Sequence, residues 1–79
     1  PTTTISFSIQ DNNTVDLSIY NIKGQKIKTI ANNEFSKGNH SIIWNGDSES
    51  GKPVSSGVYL FKLDVNGKTK SLKKCLLLK

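Results

Sequence analysis

Arginine is absent from this 79-residue chain; all eleven of its basic residues are lysine, against six acids, for a net charge of +5. Lysine is a compact hydrated charge, whereas arginine supplies the planar fork that holds phosphate or guanine through two bonds. A scattered lysine field attracts polyanions weakly and reads them poorly, so solubility and protection of strand edges explain it better than nucleic-acid binding. Methionine is also absent, and there is one cysteine, Cys75, which excludes an internal disulfide and a thiolate metal cluster. The longest apolar run is Cys75-Leu76-Leu77-Leu78, far short of the roughly 20 residues that cross a bilayer. No ten-residue stretch carries the i, i+3, i+4, i+7 period of an amphipathic helix. The chain opens at Pro1 with no initiator Met and no leader pattern, and is expected to be one domain, residues 1–79, excised from a longer protein, with any targeting segment outside it.

What is present is a period of two. Ile5, Phe7 and Ile9 alternate with serines, and Val15, Leu17 and Ile19 alternate with Asp16 and Ser18, which predicts two half-buried strands. A third strand is expected over 25–31 around Ile27 and Ile30, after a turn at Lys23-Gly24. Residues 32–39 read as a longer connection anchored by Phe35. His40 to Trp44 follows as a strand with Ile42 and Trp44 on one face and Ile43 on the other. Val58 to Val65 is the strongest strand, and Asn66-Gly67 has the residue types of a type I′ hairpin turn into a last strand near Thr69–Leu78. Six or seven short strands with regular turn signals predict an all-β fold: an antiparallel immunoglobulin or fibronectin-III-like sandwich without a substantial helix. Its last hairpin has two registers. A plain two-residue turn sets Leu63 opposite Lys70 and Tyr59 opposite Lys74, whereas a bulge shifts the pairing.

Groups able to do chemistry are few. His40, the one histidine, begins a strand, a position that reads as surface rather than as a general base. There is no paired-carboxylate dyad, no Gly-rich phosphate loop and no Gly-x-Ser-x-Gly elbow, so an enzyme is not expected, nor a cofactor or a small-molecule substrate. Asn45, Asp47 and Glu49 place oxygen donors at alternate positions like the start of a calcium loop. The glycine stands one position late, and Ser56 occupies the place of the bidentate Glu. A polar turn rich in Asx-type hydrogen bonds is the simpler account of that loop. Cys75 among leucines reads as a small hydrophobe, and Trp44 and Tyr59 as core residues rather than a sugar-stacking platform. The sequons Asn12-Asn13-Thr14 and Asn39-His40-Ser41 arise easily in an Asn-rich chain.

The order of short motifs carries a resemblance over essentially the whole chain. Pro1-Thr2-Thr3-Thr4-Ile5-Ser6-Phe7 resembles the "N-P-x-x-P-x-T-x-I-x-F" opening of a large set of C-terminal domains of secreted bacterial proteins. Val15 to Ile27 resembles their "V-x-L-x-I-Y-D-x-x-G-x-x-V" segment. Trp44-Asn45-Gly46-Asp47 with Gly51 resembles "W-D-G-x-D-x-x-G", Ser56-Gly57-Val58-Tyr59 resembles "S-G-V-Y", and Lys74 to Lys79 resembles a closing "K-x-x-x-x-K". Two related families share this pattern: the type IX secretion C-terminal sorting domain and the immunoglobulin-like domain of the flagellar hook-capping protein. The first implies a non-catalytic domain recognised by outer-membrane secretion machinery, which sends its parent through the periplasm to the cell surface or the medium. The resemblance gives the recognition role to Gly57, Tyr59, Lys74 and Lys79. An immunoglobulin-like spacer beside an enzyme is the alternative, with carbohydrate binding behind it. Cys75 departs from the family, which commonly has an aliphatic residue or Met there. No partner nucleic acid and no membrane insertion are implied, only the secretion machinery and the parent's other domains.

Overall fold

The computed structural model describes residues 2–78. Six antiparallel strands form in chain order: β1 Thr3–Ile9, β2 Asn13–Asn21, β3 Lys26–Phe35, β4 Gly38–Trp44, β5 Gly57–Val65 and β6 Lys68–Leu77. They make two sheets, one of two strands in the order β1-β4 and one of four in the order β3-β2-β5-β6. No helix occurs among the described residues. The expected all-β immunoglobulin-like sandwich is therefore the fold.

The period of two becomes the core. Ile5 and Ile9 of β1, Val15, Leu17 and Ile19 of β2, Trp44 of β4, Tyr59, Leu63 and Val65 of β5 and Leu77 of β6 are all buried between the sheets. Residues of the opposite parity point outward, as Ile43 does on the outside of β4. Ser18 departs from the pattern. It lies on the outer parity of β2 but is only 2% exposed, because a strand flanked on both sides is roofed by its neighbours' side chains. Its hydroxyl donates to Asp16 Oδ1 at 2.8 Å and lies 3.4 Å from Thr29 Oγ1, so the buried oxygen is satisfied.

Several expected element limits change; β4 begins at Gly38 rather than His40 and β5 at Gly57 rather than Val58. The third strand does not stop at 31; it runs Lys26–Phe35, and the connection expected over 32–39 shrinks to residues 36–37. Asn32, Asn33 and Glu34 are poor strand formers, but Asp16, Val15 and Thr14 of β2 pair with them, and their side chains stand in solvent on an edge strand. Phe35 is an anchor as expected, stacked edge-on against Phe7 with centroids 5.4 Å apart. The last strand spans 68–77 rather than 69–78.

The final hairpin settles its register with a bulge. Asn66 and Gly67 both take positive φ, at 52° and 78°, the type I′ geometry their identities predict. Thr69 pairs with Asp64, but Ser71 pairs with Leu63, so Lys70 is the extra residue. Beyond it Tyr59 faces Cys75 and Gly57 faces Leu77. The Asn66 N–H donates to Thr14 O at 2.9 Å, which ties the turn to β2.

The two faces of this sandwich should differ sharply in urea. Leu17→Ala, at a fully buried site, is expected to cost about 2–5 kcal/mol, whereas Ile43→Ser on the open face should change stability by less than about 0.5 kcal/mol. Equal losses would mean that these faces are assigned wrongly.

Candidate functional site

The motif residues converge on one end of the sandwich, where β4 leaves for the long loop and β5 returns. Trp44 is buried, and its indole stacks edge-on against the Tyr59 ring with centroids 5.0 Å apart and planes at 75°. Burial leaves the indole N–H needing an acceptor, which the Asp47 carbonyl supplies at 2.9 Å. The Tyr59 hydroxyl donates to Ser55 O at 2.6 Å, four residues upstream, and so closes the segment that leads into β5. This is the chemistry of a tyrosine corner, in which a phenol pins the chain at the mouth of a strand.

Gly57 stands between these two residues with φ of +153°, a conformation that residues with a Cβ rarely adopt. An added Cβ would meet no atom within 4 Å, so no close approach of another backbone calls for glycine here. The backbone angle alone selects glycine here.

The loop 45–56 folds onto β3 rather than around a cation. Asp47 binds Lys28 Nζ through both carboxylate oxygens, at 3.0 and 3.1 Å. Glu49 accepts from the Thr29 amide at 3.2 Å and its own N–H donates to Ile27 O at 3.0 Å. Asn45 is exposed. Within the loop, Gly51 N–H donates to Ser48 O, Ser48 N–H to Lys52 O and Val54 N–H to Gly46 O, all at 2.8–3.0 Å. Asn45, Asp47 and Glu49 thus do not turn their oxygens to a common centre. Among the described residues no group of three or more His, Cys, Asp or Glu side chains is placed to hold a metal.

Of the four residues given a recognition role by resemblance, Gly57 and Tyr59 lie in this structural knot, and Tyr59 is only 7% exposed. Lys74 is exposed on β6, the terminal strand of its sheet, and Lys79 lies outside the described residues. The structure does not bring Lys74 to the Gly57–Tyr59 pair's working atoms; they share a sheet, with Lys74 opposite Leu60.

His40 lies half-buried at the surface. Its ring packs at 5.4 Å from Phe7 and 5.0 Å from Phe35, and Nε2 donates to Ser36 O at 2.6 Å. Cys75 is half-buried, and burial pushes its thiol pKa up, away from the range of a reactive thiolate. Asn21 is the residue that motif reading undervalued. Its carboxamide oxygen accepts from the Lys23 and Gln25 amides at 3.0 and 2.9 Å, and its Nδ2 donates to Gln25 Oε1 at 2.8 Å. The signal was its place two residues ahead of Lys23 and three ahead of Gly24, the spacing of an Asx-capped hairpin.

A two-sheet sandwich with a tyrosine corner and a buried tryptophan defines an immunoglobulin-like domain. Residues 2–69 match the family model for the FlgD Ig-like domain, and the chain belongs to that family. This is the second of the two families its motifs resemble. The crystal structure of FlgD from P. aeruginosa is similar to it, with a TM-score of 0.79 and 26% identity over 96% of this chain. The chain spans 60% of that protein's length. No curated protein sequence matches it.

Removing the corner should loosen the fold without unfolding it. Tyr59→Phe is expected to lose about 1 kcal/mol, one hydrogen bond's worth, and Gly57→Ala about 1–3 kcal/mol from backbone strain, both read by thermal denaturation. An unchanged melting temperature in Gly57→Ala would remove the backbone argument. For Cys75, the labelling rate with a disulfide reagent should reach its half-maximum at a higher pH in the folded chain than in denaturant. The sign follows from burial, which disfavours the thiolate.

Proposed function

We propose that this chain is a non-catalytic immunoglobulin-like module that serves a larger protein as a rigid structural unit. The observation that carries the reading is where its distinctive residues are used. Trp44, Asp47, Ser55 and Tyr59 hold one another, and Asp47 and Glu49 hold the long loop to β3. His40 is packed between phenyl rings. A site for chemistry leaves such groups poised toward solvent or a cavity; here Trp44, Asp47, Ser55 and Tyr59 close the fold. Membership in the FlgD Ig-like family supports the same reading, and a role in assembly or as a spacer is the form it takes.

A second, finer reading is that the module is a sorting signal, read by outer-membrane secretion machinery on the way to the cell surface. The observation favouring it is β6, an outermost strand that carries Lys68, Lys70, Lys73 and Lys74 in solvent and offers a backbone edge to a receptor strand. On this reading Lys74 and Lys79 meet the receptor, while Gly57 and Tyr59 act indirectly by holding the start of β5.

The two readings separate in one experiment. Residues 1–79 are fused to the C-terminus of a periplasmic reporter in a bacterium that carries a type IX translocon. The structural reading expects a folded reporter that stays in the periplasm. The sorting reading expects it at the surface or in the medium, and expects Lys74→Glu to lower export at least tenfold. A point variant is needed because truncating β6 would remove Leu77, which is fully buried.

A further inference from the structure

The two sheets do not match in width, since two strands lie over four. The inner face of the β5–β6 hairpin therefore runs out beyond its cover. Leu77 and Cys75, near the end of β6, face the core and are buried and half-buried. Ser71 and Lys73 share their parity but are half-buried and exposed. At that place an open groove of about 460 Å³ is lined by Phe7, Phe61 and Leu63, with Ser71 and Lys73 along one side and His40 toward the other. It shares Ser8, Leu63 and Ser71 with a second depression of about 320 Å³ that continues past Ile9 and Val65 to Lys70 and Asp11. Together the two follow β5 from Phe61 to Val65, five residues or about 15 Å of extended chain.

We propose that this groove takes an extended segment of another protein in which apolar residues alternate with acidic ones. Its length and shape suit a strand rather than a compact ligand. Its lining is mixed: Phe7 and Phe61 offer apolar contact among serines, Asn39, His40 and Lys73, so the occupant meets ring faces beside polar groups. Beside it lie edges able to pair with a backbone, because β1 and β6 each stand at the margin of their sheet. Lys70 and Lys73 line the groove, and Lys68 and Lys74 lie on the same strand. One acid, Asp11, sits at the far end. The balance selects a negatively charged occupant. The same four lysines oppose a second copy of this chain, since pairing β6 with β6 would bring eight of them together. This goes beyond the structural reading, which needs no groove.

The test is a display library of random ten-residue peptides panned on the immobilised 79-residue chain, with the K70E/K73E chain as counter-selection. The recovered peptides are expected to carry Asp or Glu at alternate positions. They should shift the amide signals of Ser6–Ser8, Phe61–Leu63 and Ser71–Lys73 in NMR titrations. Their affinity should fall at least tenfold on K70E/K73E and on Ser71→Tyr, which fills the groove without altering charge. The lysine pair is exposed, so it keeps the test valid if Ser71→Tyr fails to fold. Failure to recover peptides, enrichment of basic sequences, shifts confined to the outer face of β5 and β6, or equal displacement by a single-stranded oligonucleotide would each overturn the proposal. None of these results depends on where the reporter fusion travels, so the groove and the structural reading fail separately.

Discussion

The contact on which the rest depends is Trp44 against Tyr59. Trp44 comes from the two-stranded sheet and Tyr59 from the four-stranded one, so their edge-on stacking at 5.0 Å is what joins the layers at this end. Each ring also has a polar atom that cannot be left unpaired once buried. The indole N–H reaches Asp47 O, and that fixes the first turn after β4. The phenol reaches Ser55 O, and that fixes the last turn before β5. Asp47 then uses its carboxylate on Lys28, so the loop between the sheets is held to β3 as well. The ion pair is partly exposed and adds little energy alone. Its effect is to leave the loop one place to lie. One aromatic pair thereby organises two strands, both ends of a twelve-residue connection and a third strand.

This gives residues to which the resemblance assigns recognition an architectural use as well. Short motifs such as S-G-V-Y and W-N-G-D name positions whose identity is constrained, and constraint has two sources. Gly57 is constrained by a φ of +153° with empty space around it, and Tyr59 by the need to pin that turn. Neither requires a partner. Lys74 is different, because nothing in the fold demands a lysine at an exposed edge-strand position. Function specific to a partner is more readily carried by residues of the second kind.

Much of the fold was legible because alternation is a direct consequence of strand geometry. Ile5, Ile9, Val15, Leu17, Ile19, Leu63 and Val65 all fall on the buried face their parity assigns. Asn66-Gly67 was legible because type I′ needs two positive φ angles and these residues tolerate them. The extension of β3 through Asn32-Asn33-Glu34 was not. Its cause is a ladder to β2 supplied from elsewhere in the chain, and no local preference of those residues announces it. The uses of Asp47 and Glu49 were hidden for the same reason. Alternating oxygens look like ligands until Lys28 and the Thr29 amide, some 20 residues away, are seen to claim them.

The bulge at Lys70 shows how cost rather than gain can choose a register. Without it, the inner face of β6 would hold Lys70, Leu72, Lys74, Leu76 and Leu78; with it, the inner face holds Ser71, Lys73, Cys75 and Leu77. Counting leucines favours the first arrangement. That arrangement, however, sets Lys74 against Tyr59, beneath Trp44, where an ammonium has neither water nor a carboxylate. Burying an unpaired charge costs several kcal/mol, and that register turns two lysines inward, Lys70 and Lys74, against roughly 1.5–3 kcal/mol gained for each of two more leucines. The observed register puts Lys73 opposite Phe61, where the groove is open and the charge stays wet. Leu72, Leu76 and Leu78 are left on the outside as a result. The apolar stripe on the outer surface and the charged rim of the groove are two consequences of the same one-residue slip.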